Sequence, residues 1–166
     1  MTTTRARVID SPIGPLTLAG ADRLAHLRMD DQTHPPHGRS SWARDDSAFA
    51  DVVEQLEAYF DGSLTEFDVE LDLHGSEFHV RVWNALRDIP YGETWSYGEL
   101  AHHIGSPGAA RAVGAANGRN PIAIIVPCHR VIGASGSLVG YGGGLDRKRY
   151  LLGLEAEAST PRLGLA

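Results

Sequence analysis

The chain has 166 residues, of which 42% are apolar and 22% charged, with a formal net charge of −6. These values suit one ordinary folded domain or two small ones sharing a core, and they exclude a large multi-domain machine and a disordered chain. No apolar run approaches the ~18 residues of a membrane span, and Met1–Arg5 leads into a strand-like run without the long apolar region of a secretory signal. A soluble, cytoplasmic protein is expected. The single cysteine, Cys128, excludes a disulfide framework and any multi-cysteine metal site.

The net charge hides an asymmetry. Up to Glu99 there are 18 acidic residues against 8 Lys and Arg, and beyond it 3 against 7. No acid lies between Glu99 and Asp146, whereas Arg111, Arg119 and Arg130 do. That window is a candidate polyanion surface; the alternative is a Gly/Ala-rich stretch with few charges of either sign.

Short strand-like runs, Arg5–Asp10, Leu16–Ala19 and Leu24–Met29, are separated by Ser11–Pro15 and Gly20–Asp22 and predict an antiparallel meander. Residues 30–44, with Pro35-Pro36 and no periodicity, predict a long exposed loop. Phe49, Val52, Val53, Leu56 and Phe60 recur at helical spacing, with Asp45, Asp46 or Ser47 available to cap the start and Gly62 to end it. Phe67 and Val69 alternate with Asp68 and Glu70 in a run to Leu73, read as one more strand.

From Ser76 the texture turns helical. Phe78, Val82, Leu86 and Ile89 form a stripe capped by Ser76 and stopped at Ile89-Pro90. This sets a boundary near Gly75, dividing the chain into residues 1–75 and 76–166. Ser96-Tyr97-Gly98-Glu99 has the form of a capping box, opening a helix to about Ile104. Gly105 supplies a left-handed exit, and Ser106-Pro107 is read as an N-cap and first helical position of a second helix ending near Gly118. Together they have the sequence form of a helix-turn-helix. In the second helix only Arg111 and Val113 exceed alanine in size over residues 108–116. Such a face fits a minor groove ~6 Å wide, or else tight helix packing inside the protein.

Ile122–Val126 is β-rich and apolar, so it is expected as a buried strand or extended segment that delivers Pro127-Cys128-His129-Arg130 at its end. A lone cysteine is most often a small buried hydrophobe. Here Pro127 fixes a bend, His129 offers a base that titrates near neutral pH, and Arg130 favours negative charge nearby. Adjacent side chains of an extended segment point apart, so Cys128 and His129 meet only through a tight turn or a bridging water.

Pro127-Cys128-His129-Arg130-Val131, preceded by Asn120-Pro121 and followed by Tyr141-Gly142-Gly143-Gly144-Leu145 and Leu151-Leu152-Gly153-Leu154-Glu155, resembles the active-site region of O6-alkylguanine-DNA alkyltransferases. The resemblance extends back through Ala109-Ala110-Arg111-Ala112-Val113-Gly114 and Tyr91–Tyr97, covering about Phe78 to Glu155; the N-terminal part shares only the strand–helix order and the Ser11-Pro12-Ile13-Gly14 turn. It implies an α+β protein with a ribonuclease H-like N-terminal sheet and helix. The C-terminal domain would be mostly helical, with a winged-helix-like helix-turn-helix and the active-site cysteine.

The activity implied is DNA repair by irreversible, single-turnover transfer of an alkyl group from O6-alkylguanine, and from O4-alkylthymine, to Cys128. By the same resemblance His129 removes the Cys128 proton through a water, Glu155 orients His129, Asn120 holds the active-site turn and Tyr97 donates its hydroxyl to the departing guanine. Arg111 fills the gap left by the flipped base, on a DNA-facing surface with Ala109, Ala110, Ala112 and Gly114. Backbone carbonyls of Cys128 and Val131 face the exocyclic amine, and the Tyr141–Gly144 loop, with Gly142 and Gly143, walls the pocket. Lys148 either helps the guanine or faces solvent. The expected partner is double-stranded DNA carrying O6-alkylguanine, engaged through the minor groove by a monomer.

General chemistry agrees with this assignment. Attack on an alkyl carbon needs a soft thiolate, a donor must neutralise the leaving group, and a base inside a duplex must be extruded. The thioether product resists water, so no cofactor or second nucleophile is expected. The structural zinc of some relatives uses N-terminal cysteines that this chain lacks; His34, His37, His102 and His103 are read as solvated, and no metal is expected. Two other readings are a non-catalytic helix-turn-helix protein that binds alkylated DNA, against which Cys128 argues, and a cysteine hydrolase, which leaves Arg111 and the alanine-rich helix unexplained.

Overall fold

The computed structural model describes residues 3–30, 32, 36, 38–136 and 141–159. β1 (Arg5–Ile9), β2 (Leu16–Gly20) and β3 (Leu24–Met29) form the expected antiparallel meander. Its β1–β2 corner is held by Ser11, whose carbonyl accepts Gly14 N at 3.0 Å and whose hydroxyl donates to Gly14 O at 2.6 Å. β4 (Ala43–Arg44) pairs in parallel with β1, giving the order β3-β2-β1-β4. Residues 30–44 are therefore more than a loop: a 3-10 turn at Arg39–Ser41 precedes β4, and Trp42 stacks on His26 at 4.9 Å. Leu16, Leu18, Leu24 and Leu27 are buried and meet α1 (Ala50–Phe60) through Val52, Leu56 and Tyr59 in a core shared with the C-terminal half.

Two predicted features differ here. None of Asp45, Asp46 and Ser47 caps α1; the N-cap is Phe49 in the left-handed region (φ 57°). The reason is local competition: Asp45 Oδ1 accepts both Ser47 N (3.0 Å) and Ser47 Oγ (2.6 Å), closing a turn before the helix begins. The run Phe67–Leu73 is not a strand. It touches β3 at one bridge, Leu71 to Leu24, with Asp72 N donating to Leu24 O at 2.8 Å, while the Gln55 amide holds both backbone groups of Asp68. The edge of β3 is already shared, because Leu27 pairs with residues 121–123.

α2 (Glu77–Leu86) starts at Ser76 as expected, its hydroxyl accepting His79 N, and Trp83 Nε1 donates to Ala116 O at 2.8 Å, tying α2 to α4. β5 (Trp95–Ser96) leads into α3 (Tyr97–His103), opened by the predicted capping box and closed at Gly105 (φ 77°), where Ser106 N reaches back to Ala101 O at 2.9 Å. α4 spans Ala110–Gly118 and begins later than predicted. Ser106 does not cap it: Arg81 takes the Ser106 hydroxyl, and Ala109 N closes a turn onto Ser106 O. β6 (Val131–Ile132) pairs in parallel with β5, and α5 (Leu145–Ser159) aligns Lys148, Leu151 and Glu155 on its buried face. No helix among the described residues is long and apolar enough to cross a membrane.

Candidate active site

The segment that delivers Cys128 is buried but is not a strand. After one bridge between Leu27 and Ile122 it coils into two three-residue turns. Ile125 N donates to Ala123 O at 2.8 Å around Ile124 at φ 73°, and Cys128 N donates to Val126 O at 2.8 Å around Pro127 (φ −81°, ψ 65°). The first is the rare form of γ-turn, costly for a β-branched residue. Asn120 holds it in place: its Nδ2 donates to Val126 O at 2.7 Å, and its Oδ1 accepts Ile122 N at 3.0 Å. A 3-10 turn then carries Cys128, His129 and Arg130, all buried. This tight turn separates the thiol and imidazole without the pleat of a strand.

The His129 ring reaches α5, where Nε2 lies 2.6 Å from Glu155 Oε2. Arg130 grips the same carboxylate through Nε (2.8 Å) and Nη2 (3.1 Å) and donates Nη1 to Ile89 O at 2.7 Å. Burial pushes the Glu155 carboxyl up, but His129 and then Arg130 outweigh it and leave the pKa at about 2. Glu155 is thus an ionised acceptor at neutral pH, so His129 Nε2 carries the proton of the neutral ring. Burial holds the His129 pKa below its ordinary value, against the pull of Glu155. The remaining nitrogen, Nδ1, is buried and hydrogen-bonds to no described residue. The ring is thus held in one tautomer, with Nδ1 able to accept a proton.

Burial raises the Cys128 thiol, opposed by Asn120, the Lys148 ammonium and Tyr141. Lys148 is buried and donates to Val131 O at 2.6 Å, so it does not face solvent. Tyr97 and the thiol feel each other: burial and then the charge of Cys128 raise the Tyr97 pKa, keeping its hydroxyl protonated, and Gly114 lies beside the Tyr97 ring, where a Cβ would make ordinary contact. Gly142 is half-buried in the turn closed by Gly144 N to Tyr141 O at 2.9 Å. At Gly143 a Cβ would overlap the Met29 sulfur and the Tyr141 ring. Arg147 ties this loop to the sheet, donating to Ile13 O, Asp30 O and Gly143 O.

Cys128, His129, Glu155, Asn120, Val131, Lys148, Tyr141, Gly143 and Tyr97 thus gather at one place, whereas Arg111 and Ala112 do not join them. α4 buries Val113, Ala116 and Asn117 and exposes Arg111, Ala112, Ala115 and Arg119, with Ala109, Ala110 and Gly114 half-buried. The small residues at 112 and 115 therefore face outward rather than packing inside the protein. Arg130 is committed to Glu155 and Ile89 rather than to the thiol. Two contributors escaped the sequence reading. Asn117 Nδ2 lies 3.5 Å from Cys128 O, and Tyr59 on α1 donates to Glu155 Oε2 at 2.6 Å. Tyr59 has no local signal, being an ordinary member of an apolar helix stripe. Of the histidines, His102 is exposed, His103 Nε2 lies 3.0 Å from Asp88, and His34 and His37 lie outside the described residues. The cysteine donors of a structural zinc do not exist in this sequence, whose one cysteine is buried in the site.

This arrangement makes the fold acid-sensitive. Below pH 6.5 the unfolded chain takes up a proton that buried His129 refuses. The Glu155 contribution, complete above 4.5, is lost as pH falls from 4.5 to about 2. Both groups act in the same direction. Denaturant midpoints should fall steadily from pH 7 to about 3; a flat profile contradicts the assignment of charges.

The family model described as 6-O-methylguanine DNA methyltransferase, ribonuclease-like domain, matches residues 4–73, and that described as 6-O-methylguanine DNA methyltransferase, DNA binding domain, matches residues 77–157. A methylated-DNA–protein-cysteine methyltransferase of Mycolicibacterium paratuberculosis is 68% identical over 160 residues, 96% of either chain. One from Methanosarcina acetivorans is 54% identical over 89% of this chain and 96% of that one. The crystal structure of Mycobacterium tuberculosis OGT in complex with DNA aligns with a TM-score of 0.87 at 66% identity, covering 93% of this chain and 94% of the other. The two models together match most of the chain and a relative at 68% identity covers 96% of it, and the chain belongs to the methylated-DNA–protein-cysteine methyltransferase family.

Proposed function

We propose that this protein repairs DNA by taking the alkyl group of O6-alkylguanine, and of O4-alkylthymine, onto Cys128, once per molecule. The observation that carries the reading is the buried Cys128 thiol next to a neutral His129 whose Nε2–H is bound to ionised Glu155. The thiol proton passes through a water to His129 Nδ1. The thiolate forms an S–C bond as the C–O6 bond breaks, and the electron pair leaves with guanine, which Tyr97 steadies by donation. In the net reaction the thiol proton replaces the alkyl group on the base. Lys148 stabilises the thiolate by charge and fixes the Val131 carbonyl, leaving that oxygen a second lone pair for the exocyclic amine. Nothing reverses a thioether, so each molecule acts once.

DNA is the partner, and we infer that a monomer meets it through the minor groove. The exposed face of α4, with Ala112 and Ala115 flanked by Arg111 and Arg119, supports that reading. A DNA substrate also suits a cytoplasmic location. The gap between residues 73 and 77 in the two matched models supports two units meeting near Gly75. Arg111 then occupies the stack vacated by the extruded base, whose unstacking costs a few kcal/mol. Arg111→Ala should slow repair of an O6-methylguanine duplex by about 10-fold or more while changing the reaction with free O6-methylguanine by less than about twofold. Single-turnover rates on both substrates, with peptide mapping of the alkylated residue, test this; equal losses would place Arg111 elsewhere in the mechanism, and alkylation away from Cys128 would overturn the function.

A further inference from the structure

Glu155 has a partner that alkyl transfer, as described above, does not require. Tyr59 lies on α1, in the half matched by the ribonuclease-like model, and is completely buried. Phe60 and Phe67, each with ring centroids 5.3 Å away, and Tyr91 at 6.3 Å wedge its ring. Its hydroxyl donates at 2.6 Å to Glu155 Oε2, the oxygen that also receives His129 Nε2 at 2.6 Å and Arg130 Nη2 at 3.1 Å. Oε1 takes Arg130 Nε at 2.8 Å and Gly92 N at 3.4 Å. A carboxylate presents about four lone-pair sites, so these donors share a limited supply of negative charge, and each one weakens the hold on the others. Burial and then the charge of Glu155 push the Tyr59 hydroxyl far above its ordinary pKa, so it is a permanent donor.

We propose that Tyr59 is a positioning residue for alkyl transfer: its hydroxyl, supplied by the N-terminal half of the chain, fixes Glu155 Oε2 and sets how strongly that oxygen holds His129. The inference rests on the alkyl-transfer reading of Cys128. The titratable and charged groups around the His129–Glu155 pair are Tyr59 from α1, Tyr91 from the loop after α2, Cys128 and Arg130 from the active-site turn, Tyr141 from the loop before α5, and Lys148 from α5. Among the described residues, only Tyr59 and Arg130 share the oxygen bound by His129. Arg130 brings a full charge that also neutralises the carboxylate, whereas Tyr59 brings a neutral donor whose removal leaves every charge in place. Without that donor Oε2 attracts the imidazole proton more strongly, His129 becomes more basic, and the neutral ring needed to accept the thiol proton persists only at higher pH.

The test measures single-turnover transfer from an O6-methylguanine duplex across about pH 5 to 9 for the full-length wild type, Tyr59→Phe and Phe67→Leu, with thermal melting of each. Tyr59→Phe keeps the ring and loses the hydroxyl, and its acid limb should move up by about half to one pH unit, a loss of up to about tenfold in rate on that limb. Phe67→Leu loosens the packing against the ring and keeps the hydroxyl; it should lower the melting temperature and leave the limb where the wild type has it. A Tyr59→Phe limb that coincides with the wild type, or a Phe67→Leu limb displaced as far, overturns the proposal and reduces Tyr59 to packing. Failure of the underlying reading is distinguishable, since a wild-type protein that transfers no alkyl group removes both together.

Discussion

Cys128→Ala is expected to abolish alkyl acceptance and to leave duplex binding within about twofold of the wild type, since sequence-independent affinity comes from phosphate and groove contacts. The thiol is buried and belongs to a site distinct from the exposed Arg111, Ala112, Ala115 and Arg119 of α4. Loss of a small buried side-chain atom costs about 1 kcal/mol, so the variant stays folded. Cys128→Ser should be as inactive: a hydroxyl ionises far less readily than a thiol already raised by burial, and its oxygen is a harder nucleophile for carbon. Gel-shift titration beside transfer from a labelled duplex decides this. Methyl transfer by either variant at a rate near the wild type contradicts the role of Cys128.

Glu155→Gln should be the most damaging substitution outside the cysteine, affecting both stability and rate. The amide is isosteric but cannot keep the arrangement, because both carboxylate oxygens accept bonds: Oε2 from Tyr59, His129 and Arg130, Oε1 from Arg130 and Gly92. An amide nitrogen in either place meets donors and leaves the buried Arg130 cation without its counter-charge. Breaking a buried pair in this way costs about 3–5 kcal/mol, which lowers the melting temperature by roughly 10 °C. The rate should fall by about 10²–10⁴, as when a general base loses its partner. A second substitution separates the two effects. Arg130→Met added to Glu155→Gln removes the orphaned cation, so melting should recover most of the loss while transfer does not. Recovery of both would make Glu155 a structural anchor for Arg130 alone.

Much of this was legible where the signal is local. Ser96 and Glu99 form the capping box their spacing predicts, Gly105 supplies the left-handed exit, Ser76 caps α2, and Lys148, Leu151 and Glu155 share the buried face of α5. Cys128, His129 and Glu155 stand in the ordered motifs by which the chain resembles its family. What stayed hidden depends on neighbours distant in sequence. Phe67–Leu73 alternates like a strand, but the edge of β3 that would receive it is shared with residues 121–123. Ile122–Val126 has strand composition, yet Asn120 and the sheet edge bend it into γ-turns. Ser47 and Ser106 are good capping residues drawn off by Asp45 and by Arg81. Tyr59 reaches the site only because α1 packs against it across 96 residues of chain.

The same architecture ties the N-terminal half to the segments that carry the site. β3 holds residues 121–123, which lead through the two γ-turns to Cys128. Arg147 and Met29 hold the Tyr141–Gly144 loop against the sheet. The Cys128 segment and the Tyr141–Gly144 loop are therefore braced by the sheet, and the His129–Glu155 pair by α1 through Tyr59.

Intact-mass spectrometry of the protein after incubation with a duplex containing O6-methylguanine tests the central claim most directly. The wild type should gain the mass of one methyl group, stoichiometrically and permanently, with no further gain on excess substrate, while Cys128→Ala gains none. A wild-type mass that stays unchanged while the lesion persists, or a lesion repaired repeatedly by unmodified protein, would contradict transfer to Cys128.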